Sequence, residues 1–392
     1  MVDQERIVRM RQAMEAERLD ALVLRLPENV LLLSGFWPPI GASLLLFPLD
    51  GAPVCVIPAC FQAEAAQALS GAAATYYRYG ELGAPEPASE FARILGGLAK
   101  ASAWKRIGYE DNLERIAAPW NSAEILLHTS QTQELLRAMF SGCELVNASP
   151  LLELQRSRKT ASEIAKLRTV NEISCLGLEA FAHAVQPGIS GVELVAEVER
   201  QIMVRGTGLA GASRVRAYAQ VATGPEESAR AYRPSEVSSR RAMQAGDIAM
   251  LELAVVADGY WADRTRTRVA GEPSDGQVKL FELVEAAQEA ALSAIRPGAT
   301  GAEIDEAARA VIRNAGYGDS FPHITGHGLG FCYHESSPQL APGATEQLEQ
   351  GVVTSVEPGV YVKDVGGFRI EDNALITDAG AETLGQFPKE LR

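Results

Sequence analysis

Asp258-Gly259 lies midway through GDIAMLELAVVADGYWADRTRTRVAG, residues 246–271, with alternating, largely apolar sequence on either side. Asp-Gly supplies the positive-φ positions of a two-residue hairpin loop, whose twist matches that of the strands it joins. The pattern predicts an antiparallel hairpin in which Ala257 faces Tyr260 and, counting back, Ala254 faces Asp263. Side chains alternate along a strand, so Glu252 shares a face with Ala254. Glu252 and Asp263 then become diagonal neighbours on that face, roughly 7–8 Å apart. Two carboxylates so placed either close on a shared cation or repel.

Three further segments carry side chains of the same kind. In FPHITGHGLGFCYHESSP, residues 321–338, fall three of the five histidines: His323, His327 and His334. Glycines around His327 let backbone approach closely. Glu357 ends an apolar strand at a Pro-Gly turn in VVTSVEPGVY, residues 352–361. Glu371 reads as lying inside a strand in GFRIEDNALI, residues 367–376, with Arg369 on the same face. Taken singly, each Glu reads as half of a salt bridge, and Arg369 is a sufficient partner for Glu371. A lone His is more often a core residue than a ligand. Glu252, Asp263, His327, Glu357 and Glu371 together are a different matter, because buried charge of this density is costly unless neutralised. A pair of divalent cations is the simplest neutraliser. Carboxylates with one imidazole favour Mn, Co, Zn or Fe over calcium, and the lack of thiolates argues against a closed structural zinc. Two such ions can make hydroxide from water near neutral pH and polarise a carbonyl.

The rest of the sequence sets bounds. The 392 residues suffice for two or three domains, and 47% hydrophobic with 22% charged residues is globular composition. A net charge of −14 argues against nucleic acid or an anionic membrane as main partner. Cys55, Cys60, Cys143, Cys175 and Cys332 are odd in number and lack C-x-x-C spacing, which fits reduced thiols of a cytoplasmic protein. Cys332 reads as a small buried residue rather than a nucleophile. The N-terminus is charged from residue 3 with no signal-peptide core, and no apolar run reaches the roughly 20 residues a membrane span needs.

Residues 4–19 predict an amphipathic helix through Ile7, Met10, Met14 and Leu19. Ala21–Leu24, Ser43–Phe47 and Val54–Ile57 predict strands, separated by turn signals at Pro27-Glu28-Asn29 and Asp50-Gly51-Ala52-Pro53. With a helix at Ala88–Lys100, these make an α/β N-terminal domain of about 150 residues. After a polar junction at Leu151–Arg168, Thr160 and Glu163 form a capping box for a helix with an apolar stripe at Ile164, Leu167, Val170, Ile173 and Leu176. Helices are also predicted at Gly191–Arg205, Asp275–Ile295 and Gly301–Ala315, and strands from 247 onward cluster at hairpins. The division expected is 1–155 and 156–392.

The segments DGYWADRTRT (258–267), GHGLG (326–330), VEPGVY (356–361) and RIEDNALIT (369–377) resemble the creatinase / aminopeptidase P / prolidase / methionine aminopeptidase family. DALVLRLPENVLLLSGF (20–36) and the junction after Leu151 are similar to the creatinase-type N-terminal domain of aminopeptidase P and prolidase. The resemblance spans essentially the whole chain. It implies an α/β N-terminal domain, an α+β pita-bread catalytic domain and a homodimer. By it, Asp263, His327, Glu357 and Glu371 match metal ligands, His323 and His334 match imidazoles that position substrate and stabilise the oxyanion, and Arg369 matches the family's supporting arginine. The activity implied is hydrolysis of a C–N bond, by default in an Xaa-Pro dipeptide or short peptide, by a metal-bridging hydroxide with Glu357 or Glu371 as base.

Two departures stand out. The first peptidase ligand is normally Asp, and eleven residues before Asp263 stands Glu252, which keeps the charge and adds a methylene. The peptidases also carry a histidine upstream of the hairpin, whereas none occurs here between His183 and His323. Counting back from Gly246-Asp247 reaches Ser235, and Tyr232 or Ser235 is the candidate replacement. A lost oxyanion donor costs about 10²–10³ in rate. The departure leaves two other readings: a small-molecule amidohydrolase or lyase, as in creatinase, ectoine hydrolases or dimethylsulfoniopropionate lyases, and a catalytically inactive binding module on the same fold.

Overall fold

The computed structural model describes residues 3–69, 73–101, 103–111, 130–233 and 238–392. They form two compact units, Met1–Arg156 and Ser157–Arg392.

In the first unit, helix α1 (Gln4–Ala16) is capped by the Asp3 carboxylate and buries Ile7, Met10 and Met14. Strand β1 (Ala21–Leu24) leads into α2 (Pro27–Ser34), so Pro27-Glu28-Asn29 opens a helix instead of forming the expected turn. Proline suits the first helical position, where its missing N–H would have no partner anyway. Leu26, the N-cap, brings no capping side chain of its own. The Glu110 carboxylate instead braces the chain entering the helix, accepting hydrogen bonds from the N–H groups of Arg25 (2.7 Å) and Leu26 (3.0 Å) and from Asn29 Nδ2 (3.0 Å). Then follow β2 (Leu44–Pro48), β3 (Val54–Pro58), α3 (Gln62–Ala68), β4 (Ala73–Tyr77), α4 (Pro87–Ala101), β5 (Arg106–Tyr109), α5 (Ser130–Met139), β6 (Glu144–Asn147) and α6 (Ser149–Ser157). The six strands make one mixed sheet in the order β4-β3-β2-β1-β5-β6.

The second unit opens with α7 (Ala161–Ala184), started by the Thr160/Glu163 capping box the sequence predicts. After α8 (Gly191–Gly206) comes a strand the sequence reading lacked, β7 (Val215–Thr223), then the short α9 (Gly224–Ser228). The hairpin of β8 (Ile248–Ala257) and β9 (Tyr260–Val269) has the expected register, with Ala257 opposite Tyr260 and Ala254 opposite Asp263. Asp258 and Gly259 take φ of 49° and 90°, as a tight loop requires. Helices α10 (Asp275–Ala294) and α11 (Gly301–Asn314) precede β10 (Gly326–Gly328), β11 (Glu335–Leu340), β12 (Val353–Val356), β13 (Gly359–Val362), β14 (Gly366–Arg369), β15 (Asp372–Thr377) and β16 (Gly380–Leu384).

These strands form the sheets β7-β8-β9, β11-β10-β12-β15-β16 and β13-β14. One core packs Leu167, Val170, Phe181, Leu194 and Val198 of α7 and α8 on Leu251, Leu253 and Val255. A second packs Phe281, Val284, Ile304 and Ile312 of α10 and α11 on Val356, Val360 and Phe368. At about 1.5–3 kcal/mol for each large apolar side chain buried, these two layers hold the strands rigid between them.

Candidate metal centre

The strands bring the predicted acids and imidazole to one point. Glu252 on β8 and Asp263 on β9 share a face, as the register requires. Asp263 is buried, and its strand position is locked by exchange with Asn373: the Asp263 N–H donates to Asn373 Oδ1 (3.0 Å) and Asn373 Nδ2 donates to the Asp263 carbonyl (2.7 Å).

His327 sits on β10 between Gly326 and Gly328, where an added Cβ would lie 2.0 Å from the Ser355 carbonyl oxygen and 2.1 Å from that of Ser337. Only glycine fits either side, which is why the strand can press His327 against its neighbours. His327 Nδ1 donates to the Gly328 carbonyl (3.0 Å), leaving Nε2 turned to Asp263 Oδ2 (3.4 Å) and Glu357 Oε1 (3.3 Å). Glu357 follows the last residue of β12, its N–H bonded to the Thr325 carbonyl (2.8 Å). Ser355 Oγ links the pair, accepting from the His327 N–H (3.0 Å) and donating to Glu357 Oε1 (3.0 Å).

Glu371 lies between β14 and β15, bridged to Thr265, rather than inside a strand as expected. Its Oε2 accepts from the Thr265 hydroxyl (2.8 Å). Arg369 hydrogen-bonds Glu252, not Glu371: Nη2 donates to Glu252 Oε2, Nε to Thr265 Oγ1 (3.1 Å) and Nη1 to Tyr361 Oη (3.2 Å). Nearby, His323 Nδ1 donates to the Ile324 carbonyl (2.8 Å), and Nε2 meets the Tyr361 hydroxyl at 3.0 Å. His334 is exposed, with its ring centroid 4.2 Å from that of His327.

Three overlapping sets have donor atoms within 4.8 Å of one another: Asp263–His327–His334, His327–Glu357–Glu371, and Glu252–Asp263–Glu371. Asp263 Oδ1 and Glu371 Oε1 are buried without a hydrogen-bond partner. Such orphaned carboxylate oxygens are costly to keep. Oxygen donors with imidazole suit the divalent ions Mn, Fe, Co and Zn, so the residues fit the group the sequence called for.

The electrostatics follow from the crowding. Burial, then the charges of Asp263 and Glu357, push the Glu371 carboxyl well above its usual range. Burial likewise raises Asp263, against the pull of His327. Burial works against ionised Glu357 too, but the His327 bond and charge outweigh it and bring the group down. For His327 burial opposes the proton, yet Asp263 and Glu357 hold the imidazole well above its ordinary value. Burial lowers His323, which favours a neutral ring.

Besides Thr265 and Ser355, two aromatic residues of this site escaped the sequence reading. Tyr361 lies inside VEPGVY and ties His323 to Arg369, and Tyr333 donates its hydroxyl to Glu252 Oε1 (2.8 Å). Aromatic residues among apolar neighbours look like core, so nothing local marked them. Of the candidates for the missing histidine, Tyr232 packs edge-on against Tyr361 with centroids 5.2 Å apart, and Ser235 lies outside the described residues.

Known proteins resemble both units of the chain. The Creatinase/Prolidase N-terminal domain matches residues 6–158. The chain is similar to an Xaa-Pro dipeptidase of Lactobacillus delbrueckii subsp. lactis, 31% identical over 313 residues, with 75% of this chain and 82% of the relative covered. Among solved structures it resembles the prolidase from Pyrococcus horikoshii OT3 (TM-score 0.79, 26% identity, 99% and 100% of the two chains covered). It also resembles an Xaa-Pro dipeptidase from Bacillus anthracis (TM-score 0.79, 28% identity, 99% of each chain). The expected architecture, an α/β domain followed by a pita-bread catalytic domain, therefore holds. The family profile covers residues 165–378, which include every one of the converging acids and imidazoles, and the chain belongs to metallopeptidase family M24.

Proposed function

We propose that this chain is a metal-dependent Xaa-Pro dipeptidase or a close relative acting on short peptides, with residues 1–155 as its N-terminal domain and 156–392 as its catalytic domain. The observation that carries the reading is the convergence of Glu252, Asp263, His327, Glu357 and Glu371 around two orphaned carboxylate oxygens. These five residues would hold two divalent ions, of manganese, cobalt, zinc or iron. Ions bound there would supply a water acidified toward neutrality and a polarised substrate carbonyl. Glu357 is the base: it is kept ionised, held by Ser355, and partly open to solvent. The exposed His334 would donate to the developing oxyanion, His323, a neutral ring whose Nε2 accepts from Tyr361, would position the substrate, and Arg369 orients Glu252. The Xaa-Pro dipeptidases among the relatives support a small peptide as substrate. A homodimer in the cytoplasm is the state expected of it.

Glu357→Gln tests the base. It should retain the fold by circular dichroism and lose about 10²–10⁴ in kcat. A fully active variant would remove Glu357 from the chemistry. The absent upstream histidine favours a second reading, a small-molecule amidohydrolase or lyase on the same fold. A panel of Xaa-Pro dipeptides set against cyclic amidines and betaine-type compounds separates the two, and turnover of the second group alone would reject the peptidase reading.

A further inference from the structure

Glu252 reaches one methylene further than the aspartate usual at its position, and both of its oxygens are held. Arg369 donates to Oε2 from one side, and the Tyr333 hydroxyl donates to Oε1 at 2.8 Å from the other. We propose that Tyr333 is a positioning residue for the metal site, paired with the glutamate: it fixes the longer carboxylate where the shorter one would need no such support. The inference rests on the metal-binding reading above.

Tyr333 is itself held firmly. It lies between β10 and β11 in a segment anchored at several points: Trp261 N–H to the Gly330 carbonyl (2.8 Å), Phe331 N–H to Glu335 Oε1 (2.8 Å), and Lys159 Nζ to Glu335 Oε2 (2.9 Å). The Lys159–Glu335 pair is buried on both sides. The Tyr333 ring packs on His334 (centroids 4.2 Å apart) and Trp261 (6.0 Å). Glu252, like Tyr333 partly buried, stands on a stem one methylene longer than that of aspartate. The anchored segment therefore sets where the phenol meets the carboxylate. Each carboxylate oxygen has two lone pairs, so Oε1 can accept from Tyr333 and still present a lone pair to a cation shared with Asp263 and Glu371. Groups in this supporting position typically change metal affinity by about 10–100-fold when removed.

The alternative is that Tyr333 only fills space, and Tyr333→Phe keeps the ring while deleting the donor. The test is stepwise Mn²⁺ binding by calorimetry on the full chain, for wild type, Tyr333→Phe, Glu252→Asp and the double variant, with thermal melts to establish folding. The proposal expects two ions in wild type and one of them about 10–100-fold weaker in Tyr333→Phe, with the other unchanged. In the Glu252→Asp background, where the shorter carboxylate retreats from the phenol, Tyr333→Phe should add no further loss. Unchanged affinities in Tyr333→Phe, or equal weakening of both ions, would overturn the role. So would a full Tyr333→Phe loss in the Glu252→Asp background, since the tyrosine would then act elsewhere than on Glu252. Wild type that binds no Mn²⁺ would instead defeat the underlying metal reading.

Discussion

His327 Nε2 faces two carboxylates at once, and in the metal-free protein a proton takes the place a cation would fill. Burial disfavours that proton, but Asp263 and Glu357 outweigh burial and hold the His327 pKa well above its ordinary value. Glu371 also carries a raised pKa, from burial first and then from its acidic neighbours. A cation must displace these protons, so metal binding should release them and tighten as pH rises. The sign for stability is the opposite one. A raised folded pKa gives stability that is full below the unfolded value and lost as pH rises through the folded value. Metal-free protein should therefore weaken toward alkaline pH while metal-loaded protein gains, and the two melting curves diverge. Mn²⁺ calorimetry in buffers of different ionisation heat measures the protons released. A flat affinity across pH with no proton release would sink this account. At this scale the charged residues were legible, because an acid in an apolar strand needs a partner. Tyr333, Thr265 and Ser355 were not, since they meet Glu252, Glu371 and His327 across 81, 106 and 28 residues and only the folded backbone selects those partners.

At the level of elements, the β8–β9 hairpin was the most legible part, because its loop chemistry and alternation both fix one register. The end of β9 is fixed by something less local. Arg264 and Arg266 both donate to Asp372 Oδ1 at 2.7 Å, and they also bond the carbonyls of Leu384, at the end of β16, and of Gly385, Phe387 and Pro388 beyond it. Asp372 thus holds two buried arginines that grip the C-terminal segment beside Glu371. Asp372→Asn keeps the shape and removes the charge, and should cost about 3–5 kcal/mol in urea unfolding at neutral pH. Burial alone would raise the Asp372 carboxyl, but Arg266 and Arg264 bring it down to about 2. A depressed carboxylate contributes stability above its unfolded pKa and loses it as pH falls through the folded value. The difference between wild type and Asp372→Asn should therefore persist through mild acid and shrink as pH approaches that value. A variant as stable as wild type at neutral pH would show that the arginines do not depend on Asp372. The same limit on sequence reading explains α2. Pro27-Glu28-Asn29 has turn composition, and the Glu110 carboxylate that supports the helix start is contributed by a residue 84 positions from Leu26.

Across the whole molecule, the two units have separate apolar cores, one drawn from Val23, Leu46, Phe91 and Ile107 and the others from residues beyond 160. Helix periodicity and strand alternation made most elements legible, whereas strand order was not, because β10, β12 and β15 pair across long separations and no local signal selects those neighbours. Separate cores predict that the second unit folds by itself, provided the cut respects what its first residues do. Lys159 N–H bonds the Gly351 carbonyl (2.8 Å), Lys159 Nζ neutralises buried Glu335, and Thr160 caps α7. A fragment of residues 157–392 keeps all three and should melt cooperatively and bind Mn²⁺ as the full chain does. A fragment of residues 165–392, which starts where the family match begins, loses them and leaves Glu335 buried without its cation. That loss alone costs about 3–5 kcal/mol. It also frees the segment that carries Tyr333 and His334, because Glu335 is what holds Phe331 in place. Metal affinity should accordingly fall in the shorter fragment before its secondary structure is lost, as read by Mn²⁺ titration alongside circular dichroism. Equal stability and equal binding in the two fragments would show that Lys159 and its capping neighbours are dispensable. Failure of both fragments to fold would show that the second unit depends on the first.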